Sequence, residues 1–411
     1  MLGIIEVIAL LLGLSGFGLH PNPNAPTPDQ SLRYAMADAD LVVHVDAQSL
    51  IPGNYKQLIA LGNQPQIKSS PELARMVGQV VQEVEGARGL ARSSTGIDFT
   101  TDIYDATLFA KIVPGKDPIF IAAVRGKLTT AVIDRIAKMM QKQVIKVGSG
   151  AMIEMGGDDP AIGVTKDGVL LAGASKLIRD RLADTWKPPG RPANTNLAYA
   201  QEVIAGKPVF ALMLSMSATA RKEAIAKIGG KNFLTDVITR HKYATFSAYH
   251  TGIGWTWGDN SKAGLDSMAM MSEGIIDVLR ASQIAPRGMA KLLLGAIDSY
   301  KGDKRVDEII RRKADILKIV QSYSGDGTFK TQIDKDPIKL RLSVRATGKT
   351  LSEVVPAGAM IPLALVGFMT GMAKKKEAPM TSPPTPGKAQ PRVIPRPPPP
   401  AKKAAPAPVR P

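Results

Sequence analysis

Not one of the 411 residues is cysteine. That excludes a disulfide framework, a thiolate-held zinc or iron–sulfur site and a cysteine nucleophile. Histidine is almost as scarce, at His20, His44, His241 and His250. None of these sits in a His-Glu-x-x-His helix, so no zinc-hydrolase motif is present. A Gly-x-Ser-x-Gly elbow is also missing, which removes the usual support for a serine hydrolase. Aromatic residues make up only 5% of the chain.

Other catalytic patterns fail on one decisive position each. Gly348-Lys349-Thr350 follows a strand, as the end of a phosphate-binding loop does, but the glycine needed five places earlier is Ser343. Gly252-Ile253-Gly254 with Gly258 encloses two tryptophans in an alternating strand pattern, unlike a dinucleotide fingerprint. The acidic pairs Asp158-Asp159 and Asp334, Asp336 precede prolines and read as turn formers, because no calcium-loop ladder with a closing glutamate accompanies them. No cofactor and no metal site is therefore expected.

What is present is a chain able to bury a core, with 44% hydrophobic and 22% charged residues. Its net charge of +17 is concentrated at the end: from Lys374 onward nine Lys or Arg stand against Glu377 alone, so the tail supplies +8 and the rest +9. Bases and acids are interleaved through that remainder. A clustered phosphate-binding face is lacking, and no nucleic acid is expected as a partner.

Both ends are apolar. Residues 7–19, VIALLLGLSGFGL, precede a turn-rich linker at 20–31 and read as a signal peptide or N-terminal anchor over 1–19. Residues 354–373 contain no charged side chain over a length that spans a hydrocarbon core as a helix, although Pro356 and Pro362 interrupt it. Lys374, Lys375 and Lys376 follow at once, and the positive-inside bias puts that membrane-proximal basic cluster in the cytoplasm. The tail, 374–411, holds 13 of the 31 prolines and cannot pack a core. The expected location is a bacterial inner membrane, with the body periplasmic and the tail cytoplasmic.

Between these ends the order of elements repeats. Strand, helix, two strands and helix are expected in 32–185, with an amphipathic helix opened by Pro71 presenting Leu73, Val77, Val80, Val81 and Val84. After a linker at 186–196, residues 197–350 repeat the order with a helical insertion at about 282–325. Tyr104-Asp105-Ala106-Thr107 matches Lys242-Tyr243-Ala244-Thr245, and Asp159-Pro160 matches Asp336-Pro337. The fold class is α+β: two tandem copies of an antiparallel sheet with helices on one face, flanked by the hydrophobic terminal segments. This order is similar to that of bacterial envelope proteins with tandem α+β domains.

Function is read from what remains. The chain is expected to be a structural or protein-binding module of an envelope assembly, not an enzyme, and the sequence names no small-molecule ligand. Its candidate partner surface comprises Trp255 and Trp257 with His44, Asp46 and His250. The alternative is a periplasmic enzyme with a site in the cleft between the copies, in which those histidines and Asp46 converge.

Overall fold

Alternating apolar and polar side chains, which place successive residues on opposite faces of a strand, build a single antiparallel sheet. The computed structural model describes residue 22 and residues 26–355, excepting 64, 69–70, 114, 157–159, 194, 260, most of 216–240 and all but one of 298–326. All of them belong to one unit, residues 1–367. Twelve strands are described: β1 (Leu41–Val45), β2 (Ile103–Lys111), β3 (Ile119–Gly126), β4 (Ile145–Val147), β5 (Gly150–Glu154), β6 (Pro160–Val164), β7 (Val169–Ala174), β8 (Phe210–Leu214), β9 (His241–Tyr249), β10 (Gly252–Asp259), β11 (Lys330–Asp336) and β12 (Arg341–Thr347). Their spatial order is β11-β12-β10-β9-β8-β1-β2-β3-β7-β6-β5-β4.

The β1–β8 ladder, in which Val43 faces Leu212, joins five strands on one side to seven on the other. Walking outward on each side, the registers correspond. His44 pairs with Thr107, Thr107 with Ala123 and Ala123 with Leu171. On the other side Met213 pairs with Thr245, Thr245 with Thr256 and Thr256 with Ser343. The Ala106 and Ala244 match falls at corresponding places in β2 and β9. The Asp-Pro match does not, since Pro160 opens β6 whereas Asp336 closes β11 and Pro337 lies in the turn beyond it.

Helices lie on both faces, which corrects the expectation of one. The reason is that both faces of the sheet carry apolar rows. Val42, Phe109, Ile121 and Leu171 share one face. They pack under the 32–39 segment that follows α1 (Pro28–Ser31), and under Ile178 and Leu182 of α6 (Ser175–Leu182) and Leu197, Ala200 and Ile204 of α7 (Asn196–Ala205). On the opposite face, α5 (Thr130–Met140) seats Val132, Ile133 and Ile136 against Ala151, Ile153 and Val164. The remaining early helices, α2 (Ala47–Gly62), α3 (Pro65–Lys68) and α4 (Pro71–Thr95), fill the passage from β1 to β2. On α4, Val80 is exposed and Val77, Val81 and Val84 are only half-buried.

The opposite face of the second half is covered by α8 (Lys262–Ile297), 36 residues long or about 54 Å at 1.5 Å per residue. Leu265, Met268, Ser272, Ile276, Leu279 and Gln283 are buried along it in steps of three and four, the spacing of one helix face. The backbone continues helically through Pro286, so the expected insertion at about 282–325 begins inside this helix and not as a separate element. Gly252 and Gly254 lie within β10. Gly252 is needed because a Cβ there would meet the Ala346 carbonyl oxygen at 2.0 Å.

The expected membrane segment begins inside the body. Val354 is fully buried among Leu351, Leu342 and Phe329, and its carbonyl accepts from Gln283 Nε2 at 3.0 Å. Residues 356–373, the N-terminal run 1–19, and the tail with Lys374, Lys375 and Lys376 lie outside the described residues, as do Asp158 and Asp159. Among the described residues no helix is long and apolar enough to cross a membrane.

Candidate functional site

One face of the sheet is dressed differently in its two halves, and the difference creates a cleft. At the position where β2 carries Phe109, β9 carries Ser247; where β3 carries Ile121 and Ala123, β10 carries Gly254 and Thr256; where β7 carries Val169 and Leu171, β12 carries Arg341 and Ser343. Phe109, Ile121 and Leu171 are fully buried. Their counterparts are smaller or polar: Ser247 and Gly254 are still buried, Thr256 and Ser343 are half-buried, and a cleft opens above them.

The resulting half-open cleft has about 110 Å³ of space within it, and about 620 Å³ when the open solvent at its mouth is counted. Its floor is β9, β10 and β12, and one wall is α7, through Tyr199, Glu202, Val203 and Gly206. Thr195 starts that wall by capping α7, its hydroxyl accepting from the Ala198 amide at 3.4 Å. Tyr199 stacks on Tyr243 with ring centroids 3.6 Å apart and planes 18° from parallel. Glu202 Oε1 lies 2.6 Å from Arg341 Nη2, and Arg341 Nε donates to Ser343 Oγ at 3.1 Å. Thr256 Oγ1 and Ser343 Oγ are 3.4 Å apart, while Ser247 Oγ donates to the Gly254 carbonyl at 3.2 Å.

Electrostatics keep these groups in donor form. Burial pushes the Tyr243 hydroxyl up to about 12 and raises that of Tyr199, so both stay protonated at neutral pH. Burial works against the Arg341 charge, but the bond and charge of Glu202 more than offset it, and the guanidinium holds its proton more tightly than usual. Arg345, one step further along β12 on the same face, is exposed.

Compared with protein-family models, curated proteins and solved structures, the chain matches none.

The residues singled out in the sequence lie elsewhere and do not form one group. Trp255 is buried on the opposite face, donating from Nε1 to Ser272 Oγ on α8 at 3.0 Å. It is a core residue, and Trp257 packs half-buried against the same cluster. Neither presents an open stacking surface, because β10 turns its alternate residues under α8. His44 is buried in β1 with Nδ1 3.0 Å from Thr107 Oγ1. Burial, assisted by the Arg125 charge, lowers its pKa to about 4, so it is neutral at physiological pH. Asp46 follows the strand and caps α2, accepting from the Ser49 amide at 3.0 Å and the Ser49 hydroxyl at 2.7 Å. Asn22 also donates to it, at 2.7 Å.

Nearby, Asp105 is buried and bound by Arg125 Nε at 2.7 Å, and burial raises its pKa against the pull of Arg125. His250 closes the β9–β10 hairpin, and its carbonyl accepts from the Leu351 amide at 2.8 Å. His44 and Asp46 are thus neighbours, while His250 lies two strands away. No group of three or more His, Asp or Glu among the described residues is placed to hold a metal ion. Sequence reasoning missed the cleft residues Tyr199, Tyr243, Tyr249, Arg341, Ser343 and Arg345. The signal was the alternation in β12, where Arg341, Ser343 and Arg345 interleave with Leu342, Val344 and Ala346.

Proposed function

We propose that this chain is a membrane-anchored, non-catalytic binding module of the bacterial envelope, and that the open polar face of its second half is the surface it offers. The observation that carries the reading is the substitution of a buried apolar row by hydroxyls, glycine and arginine at corresponding positions of one sheet. A face that only needed to be solvated would require no enclosing helix wall, whereas here α7 bounds a cleft whose polar groups converge.

The halves, 32–185 and 197–350, are read as tandem copies of one unit. In support, Val43 and Leu212 occupy corresponding places and face each other, and the ladders run in matching register outward from them. One copy keeps its core on this face; the other has given it up for binding.

Anchoring rests on residues 356–373, free of charge and directly followed by Lys374, Lys375 and Lys376. Since Val354 and Val355 pack with the body, the span is shortened to a stretch of about 27 Å as a helix, close to the hydrocarbon thickness. The lysines place the basic, proline-rich tail 374–411 in the cytoplasm and the body in the periplasm. Residues 1–19 serve as signal peptide or second anchor.

The absence of native thiols makes the topology directly testable with single cysteines and a membrane-impermeant maleimide on spheroplasts. Thr256→Cys in the cleft should label at once, and Ser382→Cys in the tail only after the membrane is permeabilised. Labelling of both, or of the tail alone, in intact spheroplasts would remove the proposed sidedness.

A further inference from the structure

Resting on the reading of this cleft as a binding surface, we infer that its ligand is a sugar acid, a pyranose ring carrying a carboxylate. Three features of the cleft set that chemistry.

The backbone of the floor is already used. β10 is paired on both sides, by β9 and β12, and β12 by β10 and β11. No free row of amides lies within the cleft to accept a peptide strand, so recognition falls to side chains.

Those side chains are hydroxyls. Thr245, Ser247, Thr256 and Ser343 line the floor, and each hydroxyl both donates and accepts. Ring hydroxyls of a sugar have the same dual character and can be satisfied in either sense. Tyr249 also lines the cleft, its ring set between Gly206 and Gly254, and an aromatic ring suits the apolar face of a pyranose. The space within the cleft is about 110 Å³, so it takes one edge of a sugar ring and leaves the rest at the open mouth.

Charge supplies the last feature. Arg341 is engaged by Glu202. Arg345 is exposed beside Gly254 and makes no ion pair among the described residues. A guanidinium matches a carboxylate in two parallel hydrogen bonds, which a neutral sugar would leave unmade. At the corresponding place in the first half stands Gly173, whose added Cβ would meet the Phe120 carbonyl at 2.3 Å. That half has no room there for an arginine.

The test uses the full chain in detergent micelles and a pair of probes, N-acetylmuramic acid and N-acetylglucosamine, which differ by the 3-O-lactyl group that carries the carboxylate. Isothermal titration should give the acid a Kd of roughly 0.1–1 mM, the range for a small ligand of modest efficiency. The neutral twin should bind about tenfold more weakly. Arg345→Ala, an exposed change, should bring the acid to the level of the neutral sugar. Ser247→Phe, which restores the first half's Phe109, should abolish both, with circular dichroism confirming the fold. Equal binding of the two sugars, an unchanged affinity in Arg345→Ala, or no binding of either sugar at about 10 mM would overturn the inference. Binding of adenosine monophosphate in place of the sugars would also overturn it, while leaving the cleft as a binding surface. Loss of that wider reading would show instead as protection of Thr256→Cys from maleimide in the ligand-free chain.

Discussion

Replacing His44 by glutamine should flatten the acid side of the stability profile. In the folded chain the imidazole is sealed in the sheet, and its pKa is lowered from 6.5 to about 4 by burial and by Arg125. The unfolded chain therefore binds a proton between those values that the folded chain refuses. The contribution is complete above pH 6.5, is lost progressively as pH falls toward 4, and levels off below that. Between pH 7.5 and 4.5 the difference amounts to about 2.5 kcal/mol. Asp105, held above its usual range by burial, works in the opposite sense, but it is common to both proteins and cancels in the comparison. Urea unfolding of the body at the two pH values should show the parent losing about 2.5 kcal/mol more than His44→Gln. In the folded parent the imidazole proton resonances should not move above pH 5. Parallel profiles, or an imidazole that titrates near 6.5 while the chain stays folded, would refute the burial argument.

Three further outcomes follow from the packing of α8 and the strand crossings. Trp255→Phe should cost about 1–3 kcal/mol by leaving the buried Ser272 hydroxyl unpaired; a double change with Ser272→Ala should be clearly less than additive in thermal unfolding. Gln283→Leu should cost a similar amount, since Gln283 Nε2 bonds the Val354 carbonyl and Oε1 accepts from the Gly327 amide at 2.8 Å. Hydrogen exchange of the amides at 351–355 should then accelerate. Gly252→Ala should destabilise by about 1–3 kcal/mol, because the new methyl meets the Ala346 carbonyl; a melting temperature unchanged from the parent would show that β10 and β12 part without cost.

Much of the sheet is legible in the sequence because strand alternation is a local signal. Leu41 to Val45, the β2–β3 pair and the final hairpin all announce themselves through β-branched runs and turn residues. Long-range pairing is not local. Nothing in Leu41–Val45 or Phe210–Leu214 alone states that they join into one sheet. The role of Asp46 is not legible from its spacing, because an aspartate two places after a histidine fits a strand as well as an N-cap; its bond to Ser49, three places on, decides for the cap. The tryptophans drew attention as rare residues, yet rarity says nothing about which face they occupy. The cleft was hidden for the opposite reason: serine, threonine, glycine and arginine are ordinary surface residues. Only their position opposite a buried phenylalanine, isoleucine and leucine in the other half gives them meaning.

That contrast between the halves is the centre of the account, and two single-cysteine variants test it most directly. Ala123 and Thr256 occupy corresponding places on the same sheet face, the first 5% exposed under helices and the second lining the cleft. In the folded chain Thr256→Cys should react with a small maleimide at close to the rate of a free thiol, and Ala123→Cys only as fast as the body unfolds. Equal rates at the two sites, whether both fast or both slow, would contradict it.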